Sequence, residues 1–362
     1  MRNKTTRIIL VLMVLIVGAF LYRIFFSGDN ASSEELGPKA YFVTAGNLTV
    51  PFQQPLKTPI KVLPDQQKVE VFINDSLVLS KINPDKSLSI DLSLALPLGA
   101  YRIQVISTDI NGTSTEDERV LYVVSNLVPE NWTISAASTF PHNDSSFTQG
   151  LAFYEGKLYE GTGDPKNLGL TMVAEVDLKT GKILRRRTKP VPIFGEGIAV
   201  FQDELYQISW KNDSCYVYDA STFTPKRTYN YSGEGWGLTH NGKELIMSDG
   251  SEKIFFRDPA SFSVTKTISV YTNQGPVTYL NELEYINGLL YANIWMSNLI
   301  AVIEPSTGRV LATIDATNLV KQGKGNGEVL NGIAYNPKSK KTYLTGKYWP
   351  TMFEVVLQKP SR

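Results

Sequence analysis

The stretch 281-NELEYINGLLYANIW-295 holds two short strand-like runs joined by Asn287-Gly288. That dipeptide favours a two-residue hairpin turn, because both central positions need a left-handed backbone. The hairpin opens on a carboxamide, Asn281, and closes on an indole, Trp295. The pattern recurs as 149-QGLAFYEGKLYEGTG-163, 196-EGIAVFQDELYQISW-210, 236-WGLTHNGKELIMSDG-250 and 331-NGIAYNPKSKKTYLTGK-347. Successive starts lie 47, 40, 45 and 50 residues apart, a period that belongs to β-propeller blades rather than to helical solenoids. Five repeats imply an all-β, five-bladed β-propeller over residues 130–362. Strand pairs between the repeats, such as 299-LIAVIEPSTGRVLATI-314, supply the outer strands of each blade. Only MFEVVLQ follows the fifth hairpin, so WTISAASTF, at residues 132–140, is expected to provide its missing fourth strand and close the ring.

A tight turn sets the first and last residues of a hairpin opposite each other, at one end of the blade. The repeats therefore predict two rings around one mouth. The opening ring is Gln149, Glu196, Trp236, Asn281 and Asn331; the closing ring is Gly163, Trp210, Gly250, Trp295 and Lys347. A repeat kept only for its core should carry similar residues at equivalent positions, as Gly150, Gly197, Gly237 and Gly332 do. The ring positions differ instead: one carboxylate, three carboxamides, one ammonium and three indoles converge, with two glycines leaving room. An aromatic-walled hollow with a few placed polar groups is the usual form of a small-molecule pocket.

At these same residues, FPHNDSSFTQGL, FGEGIAV, GEGWGLT, LNELEYINGLLYANIW, LNGIAY and LTGKYWP resemble the plant and bacterial type of glutaminyl-peptide cyclotransferase. The resemblance runs from about residue 132 to the C-terminus, with the motifs in order. One departure is Asn143, where the family motif carries Asp after Pro-His. The resemblance implies a five-bladed propeller that converts the N-terminal Gln of peptides or proteins to pyroglutamate with release of ammonia. It also implies that no catalytic metal or other cofactor is needed, unlike the zinc-dependent animal type. Carried over, the family's active-site set resembles Phe147, Gln149, Glu196, Trp210, Trp236, Asn281, Trp295 and Lys347. Glu196, Lys347, Asn281 and Gln149 would then be catalytic, with Phe147, Trp210, Trp236, Trp295 and the ring residue Asn331 binding substrate. Two other readings use the same ring: a Ca²⁺-dependent propeller lactonase built on its oxygen donors, and a non-catalytic propeller that captures peptide N-termini.

The rest of the chain carries no comparable chemistry. With 36 basic and 35 acidic residues among 362, there is no field to attract nucleic acid. A single cysteine and two histidines provide no structural zinc set. Arg2, Lys4 and Arg7 precede the apolar run IILVLMVLIVGAFLY. This predicts a signal anchor over residues 1–28 that holds the chain in the membrane with its catalytic domain outside the cytoplasm; a cleaved signal peptide and secretion is the alternative. A linker at 29–40 leads to 41–126, whose short alternating strands suggest an immunoglobulin-like β-sandwich. The whole is expected to be a monomer.

Overall fold

The computed structural model describes residues 37–93 and 95–360. The expected anchor lies outside the described residues, and among these no helix is long and apolar enough to cross a membrane. The first eight strands are β1 (Ala40–Phe42), β2 (Leu48–Pro51), β3 (Leu56–Val62), β4 (Gln66–Ile73), β5 (Ser76–Ile82), β6 (Ser87–Leu92), β7 (Gly99–Asp109) and β8 (Ser114–Val124). They form two sheets, ordered β1-β3-β6 and β2-β8-β7-β4-β5. Period-two patterning is the cause: in β3 Leu56, Thr58, Ile60 and Val62 are buried, while Lys57, Pro59 and Lys61 face solvent. The inward rows of both sheets share one core that includes Ile60, Val71, Ile103 and Leu121. Tyr271, from far along the chain, joins that core. Ser125 N–H donates to the Thr272 carbonyl at 3.0 Å, so the two parts of the chain are packed together.

The long strand β9 (Glu130–Pro141) follows. Next come β10 (Thr148–Tyr154), β11 (Lys157–Thr162), β12 (Met172–Val176) and β13 (Ile183–Thr188). These are succeeded by β14 (Gly195–Phe201), β15 (Glu204–Ser209), β16 (Ser214–Asp219) and β17 (Pro225–Asn230), then β18 (Leu238–His240), β19 (Leu245–Ser248), β20 (Lys253–Arg257) and β21 (Val264–Ser269). The last group is β22 (Leu280–Ile286), β23 (Leu289–Ile294), β24 (Leu299–Ile303), β25 (Val310–Asp315), the short helix α1 (Thr317–Gly323), β26 (Leu330–Asn336), β27 (Lys341–Gly346) and β28 (Thr351–Gln358).

The expectation of five separate blades is corrected by the sheet pairing. Three four-stranded sheets are present, β10 to β13, β14 to β17 and β18 to β21, and the remaining strands form one eight-stranded sheet, β22-β23-β24-β25-β9-β28-β27-β26. The physical reason is that β9 serves two neighbours. Its first residues pair in parallel with β25, Glu130 opposite Ala312 and Trp132 opposite Ile314. Its remainder pairs antiparallel with β28, from Thr133 opposite Gln358 to Pro141 opposite Thr351. An edge strand offers unpaired N–H and C=O groups to whatever lies beside it, and β9 is long enough to satisfy two such edges.

The strands that open the hairpins meet at the centre: β10 packs on β14, β14 on β18, β18 on β22, β22 on β26 and β26 on β10. Two buried acids of β22 fasten this contact. Glu282 accepts N–H bonds from Leu151 on β10 at 3.2 Å and Ile333 on β26 at 2.7 Å. Glu284 accepts from Tyr335 N–H at 2.7 Å and the Thr239 hydroxyl of β18 at 3.0 Å. Burial pushes the Glu284 carboxyl up to about 8; burial, reinforced by Glu284, raises that of Glu282. The strands approach so closely that a Cβ on Gly237 would press into the Asn281 carbonyl, which explains the glycine that follows the opening residue. Glu282→Ala leaves two buried N–H groups without acceptors, at about 1–3 kcal/mol each. The expected outcome is a loss of about 2–6 kcal/mol in stability, measured by denaturant unfolding.

Candidate active site

β-Bulges, rather than simple cross-strand pairing, deliver the ring residues. Gly163 N–H donates to the Phe147 carbonyl at 2.9 Å, Trp210 to Phe194 at 3.0 Å, Trp295 to Tyr279 at 2.8 Å and Lys347 to Val329 at 3.0 Å. These four closing residues thus face the position two before the opening residue, not the opening residue itself; the Gly250 carbonyl instead accepts from Tyr279 N–H at 2.7 Å. The ladders slip between Thr148 and Gly150, Gly195 and Ile198, Leu280 and Leu283, and Leu330 and Ile333. Those slips contain Gln149, Glu196, Asn281 and Asn331. An extra residue bends its strand and re-aims a side chain, and here it turns these polar groups away from the sheet faces toward the shared centre.

Phe147, Gln149, Glu196, Trp210, Trp236, Asn281, Trp295 and Lys347 line one cavity of about 280 Å³. Asn331 lies behind it, not in its wall. Its side-chain N–H groups donate to the Thr148 carbonyl at 2.9 Å and to Gln149 Oε1 at 3.1 Å. Gln149 Nε2 in turn donates to Glu196 Oε1 at 3.1 Å. The chain Asn331 to Gln149 to Glu196 therefore fixes the orientation of the carboxylate. The Oδ1 atoms of Asn331 and Asn281 are both buried with no partner among the described residues, but only Asn281 lines the cavity, so an acceptor stands ready at its wall. A buried polar atom left unpaired in this way costs stability and marks a place where a ligand donor would fit.

Glu196 and Lys347 are both nearly inaccessible, at 5% and 4% exposure. Burial raises the Glu196 carboxyl well above the usual carboxylate range; Lys347 opposes that rise and Glu234 adds to it. Burial lowers the Lys347 ammonium, against the opposing pull of Glu196 and Glu328. The Lys347 Nζ stands 4.6 Å from the centre of the Phe147 ring, within the range of a cation–π contact. A general base benefits from a pKa near the working pH, and removal from water is the usual means of achieving it.

The aromatic wall is assembled edge to face. Phe194 meets Phe147 at 6.0 Å and 87° and Trp210 at 5.6 Å and 64°. Trp236 meets Trp295 at 5.6 Å and 89°. The glycines of the closing ring make space for this: a Cβ on Gly163 would strike Phe194, and one on Gly250 would strike Trp236.

Sequence reasoning missed Phe194, Glu234, Glu328, Val329 and Met296. All but Glu234 line the cavity, and Glu234 holds its wall. Trp210 and Trp236 both donate their indole N–H to Glu234 Oε2, at 2.7 and 2.9 Å. A usable signal existed, since Phe147 stands two residues before its opening residue, and Phe194, Glu234 and Val329 hold the equivalent place in their repeats. Glu234→Gln removes a charge-assisted bond to each indole and a negative charge that raises the Glu196 pKa. The expected outcome is a KM rise of about tenfold with kcat little changed, and a pH–rate profile whose ascending limb moves to lower pH. Steady-state kinetics across pH check both.

Residues 107–357 match the family model described as glutamine cyclotransferase, a span that starts within β7 and takes in β8 as well as the hairpins. The chain belongs to the glutamine cyclotransferase family. Every ring residue falls inside that span. A curated relative named glutaminyl-peptide cyclotransferase, from Arabidopsis thaliana, is 36% identical over 235 residues, covering 63% of this chain and 72% of the relative. The crystal structure of Myxococcus xanthus glutaminyl cyclase aligns with a TM-score of 0.61 at 34% identity, over 64% of this chain and 100% of that one. As a glutamine cyclotransferase family member, the chain carries β1 to β6 in addition to the matched region.

Proposed function

We propose that the chain is a glutaminyl-peptide cyclotransferase, an acyltransferase that converts the N-terminal Gln of peptides and proteins to pyroglutamate and releases ammonia. The observation that carries this reading is one buried carboxylate, Glu196, oriented by a carboxamide relay and sharing an aromatic cavity with one ammonium, Lys347. The family supplies the reaction class.

In the reaction the substrate's α-amine, neutral, attacks its own side-chain carbonyl carbon. A C–N bond forms and the carbonyl oxygen takes the negative charge. The C–NH₂ bond then breaks, and the proton lost by the amine must reach the departing nitrogen so that ammonia leaves. Glu196 is suited to accept that proton and return it. Lys347 is placed to stabilise the oxyanion, and Asn281 Oδ1 to accept an N–H of the substrate. The indoles and Phe147 exclude water, which favours ring closure over hydrolysis. An ammonium in the same cavity repels a cation, which weighs against the calcium-lactonase reading. Work outside the cytoplasm is supported by the basic residues ahead of the apolar run at 8–22. The test is ammonia release from an N-terminal Gln dipeptide in the presence of a chelator. Release is expected to persist; binding of the peptide with no release would leave only the recognition reading.

A further inference from the structure

At the solvent edge of the cavity, Trp295 is 37% and Met296 71% exposed. They are the two large apolar side chains that belong both to the cavity wall and to the exposed surface. Tyr279, 52% exposed, lays its ring 5.9 Å from that of Trp295, and its carbonyl holds the Trp295 N–H at 2.8 Å. Single exposed apolar residues are ordinary on protein surfaces; a contiguous group at the mouth of a ligand cavity is not. The backbone adds an independent observation. Tyr279 and Met296 both adopt left-handed conformations, φ 61° and 62°, which bulky side chains seldom take and which cluster at ligand clamps. The fold thus holds two strained residues in place to present apolar surface to water.

We propose that Tyr279, Trp295 and Met296 form the subsite for the residue that follows the N-terminal Gln of the substrate, and that it selects bulky apolar or aromatic side chains. This rests on the cyclotransferase reading, in which the Gln side chain reacts at Glu196. The rest of the peptide must then leave through the mouth. Trp295 and Met296 belong both to the cavity wall and to the exposed surface, as do Pro165 and Glu328, and they supply the large apolar side chains that a second residue meets on leaving. Their surface offers dispersion, ring stacking and a polarizable thioether, and the exposed carboxylate in the same lining, Glu328, disfavours an acidic second residue.

The experiment compares kcat/KM for Gln-Phe-Ala and Gln-Gly-Ala in the unaltered protein, in Tyr279→Asn, in Met296→Asn and in the double variant. Asn tolerates a left-handed backbone, so the apolar surface is lost without new strain. Each ratio comes from a single preparation, so the fraction folded cancels. The unaltered protein is expected to favour Gln-Phe-Ala by about tenfold, the discrimination a partly buried apolar side chain supplies, with the preference falling toward unity in the double variant. Equal turnover of the two peptides by the unaltered protein, or a preference that survives the double variant, would overturn the subsite while leaving cyclisation standing. Ammonia release from neither peptide would overturn the cyclotransferase reading and the subsite with it.

Discussion

Glu196→Gln is expected to lower kcat by about 10²- to 10⁴-fold, the range that a positioned acid–base group supplies, with KM little changed. The substitution keeps shape and volume. The Gln149 amide that donates to Glu196 Oε1 at 3.1 Å can still donate to the new carboxamide oxygen. What disappears is the capacity to take a proton from the substrate amine and return it to the leaving nitrogen. The pH dependence follows with a definite sign. Burial raises the Glu196 carboxyl, with Glu234 adding to the effect and Lys347 opposing it, so at low pH the group is protonated and cannot act as a base. Rate therefore rises with pH through that raised value. The substrate's α-amine, with an ordinary pKa of about 7.7–8.0, must also lose its proton before it can attack. In the variant the limb due to Glu196 vanishes and the limb due to the amine stays. Rate profiles between pH 5 and pH 9 would reveal the difference, and near-normal turnover in the variant would remove Glu196 from the mechanism.

The repeat was legible because each hairpin carries its own turn chemistry and its own apolar run; NELEYINGLLYANIW reads as two strands without reference to anything else. Strand partners were not legible in the same way. The pairing of β9 with β28 was expected, because the fifth hairpin lacked a fourth strand, and it is present. The second edge was not, since period-two patterning is silent on it and the parallel pairing of Glu130, Asn131 and Trp132 with β25 spans 182 residues of chain. That pairing is what joins two hairpin units into an eight-stranded sheet. The cross-ring geometry misled for a related reason. Counting residues from a turn assumes an unbroken ladder, and the ladder breaks at Gln149, Glu196, Asn281 and Asn331. Spacing alone cannot distinguish a bulge from a pair, although the glycine after three of these residues and the close strand approach it permits were a hint. Glu234 escaped because it holds two tryptophans from behind instead of standing in the ring. Glu282 and Glu284 escaped because alternating acids in a strand normally mark a solvent face, and here the centre of the molecule supplies their partners from other strands.

Lys347→Met is the second large effect, and its pH signature distinguishes it from the first. Methionine fills nearly the same volume against Phe147, over which the ammonium now sits at 4.6 Å, so the cavity wall keeps its shape. Loss of a donor to a developing oxyanion costs about 10²- to 10³-fold in kcat when the site excludes water, and Lys347 is 4% exposed. The same ammonium holds the Glu196 carboxyl lower than burial alone would place it. Removing it leaves the carboxyl harder to ionise, and the ascending limb of the rate profile is expected to move to higher pH. Glu234→Gln shifts that limb the other way, because Glu234 raises the same group. Two substitutions of opposite charge effect on one carboxylate thus predict opposite displacements of one titration. A purely structural role for either residue would alter KM or stability and leave the midpoint where it is. Displacement in the same direction for both, or no displacement with either, would place the titrating group elsewhere than Glu196.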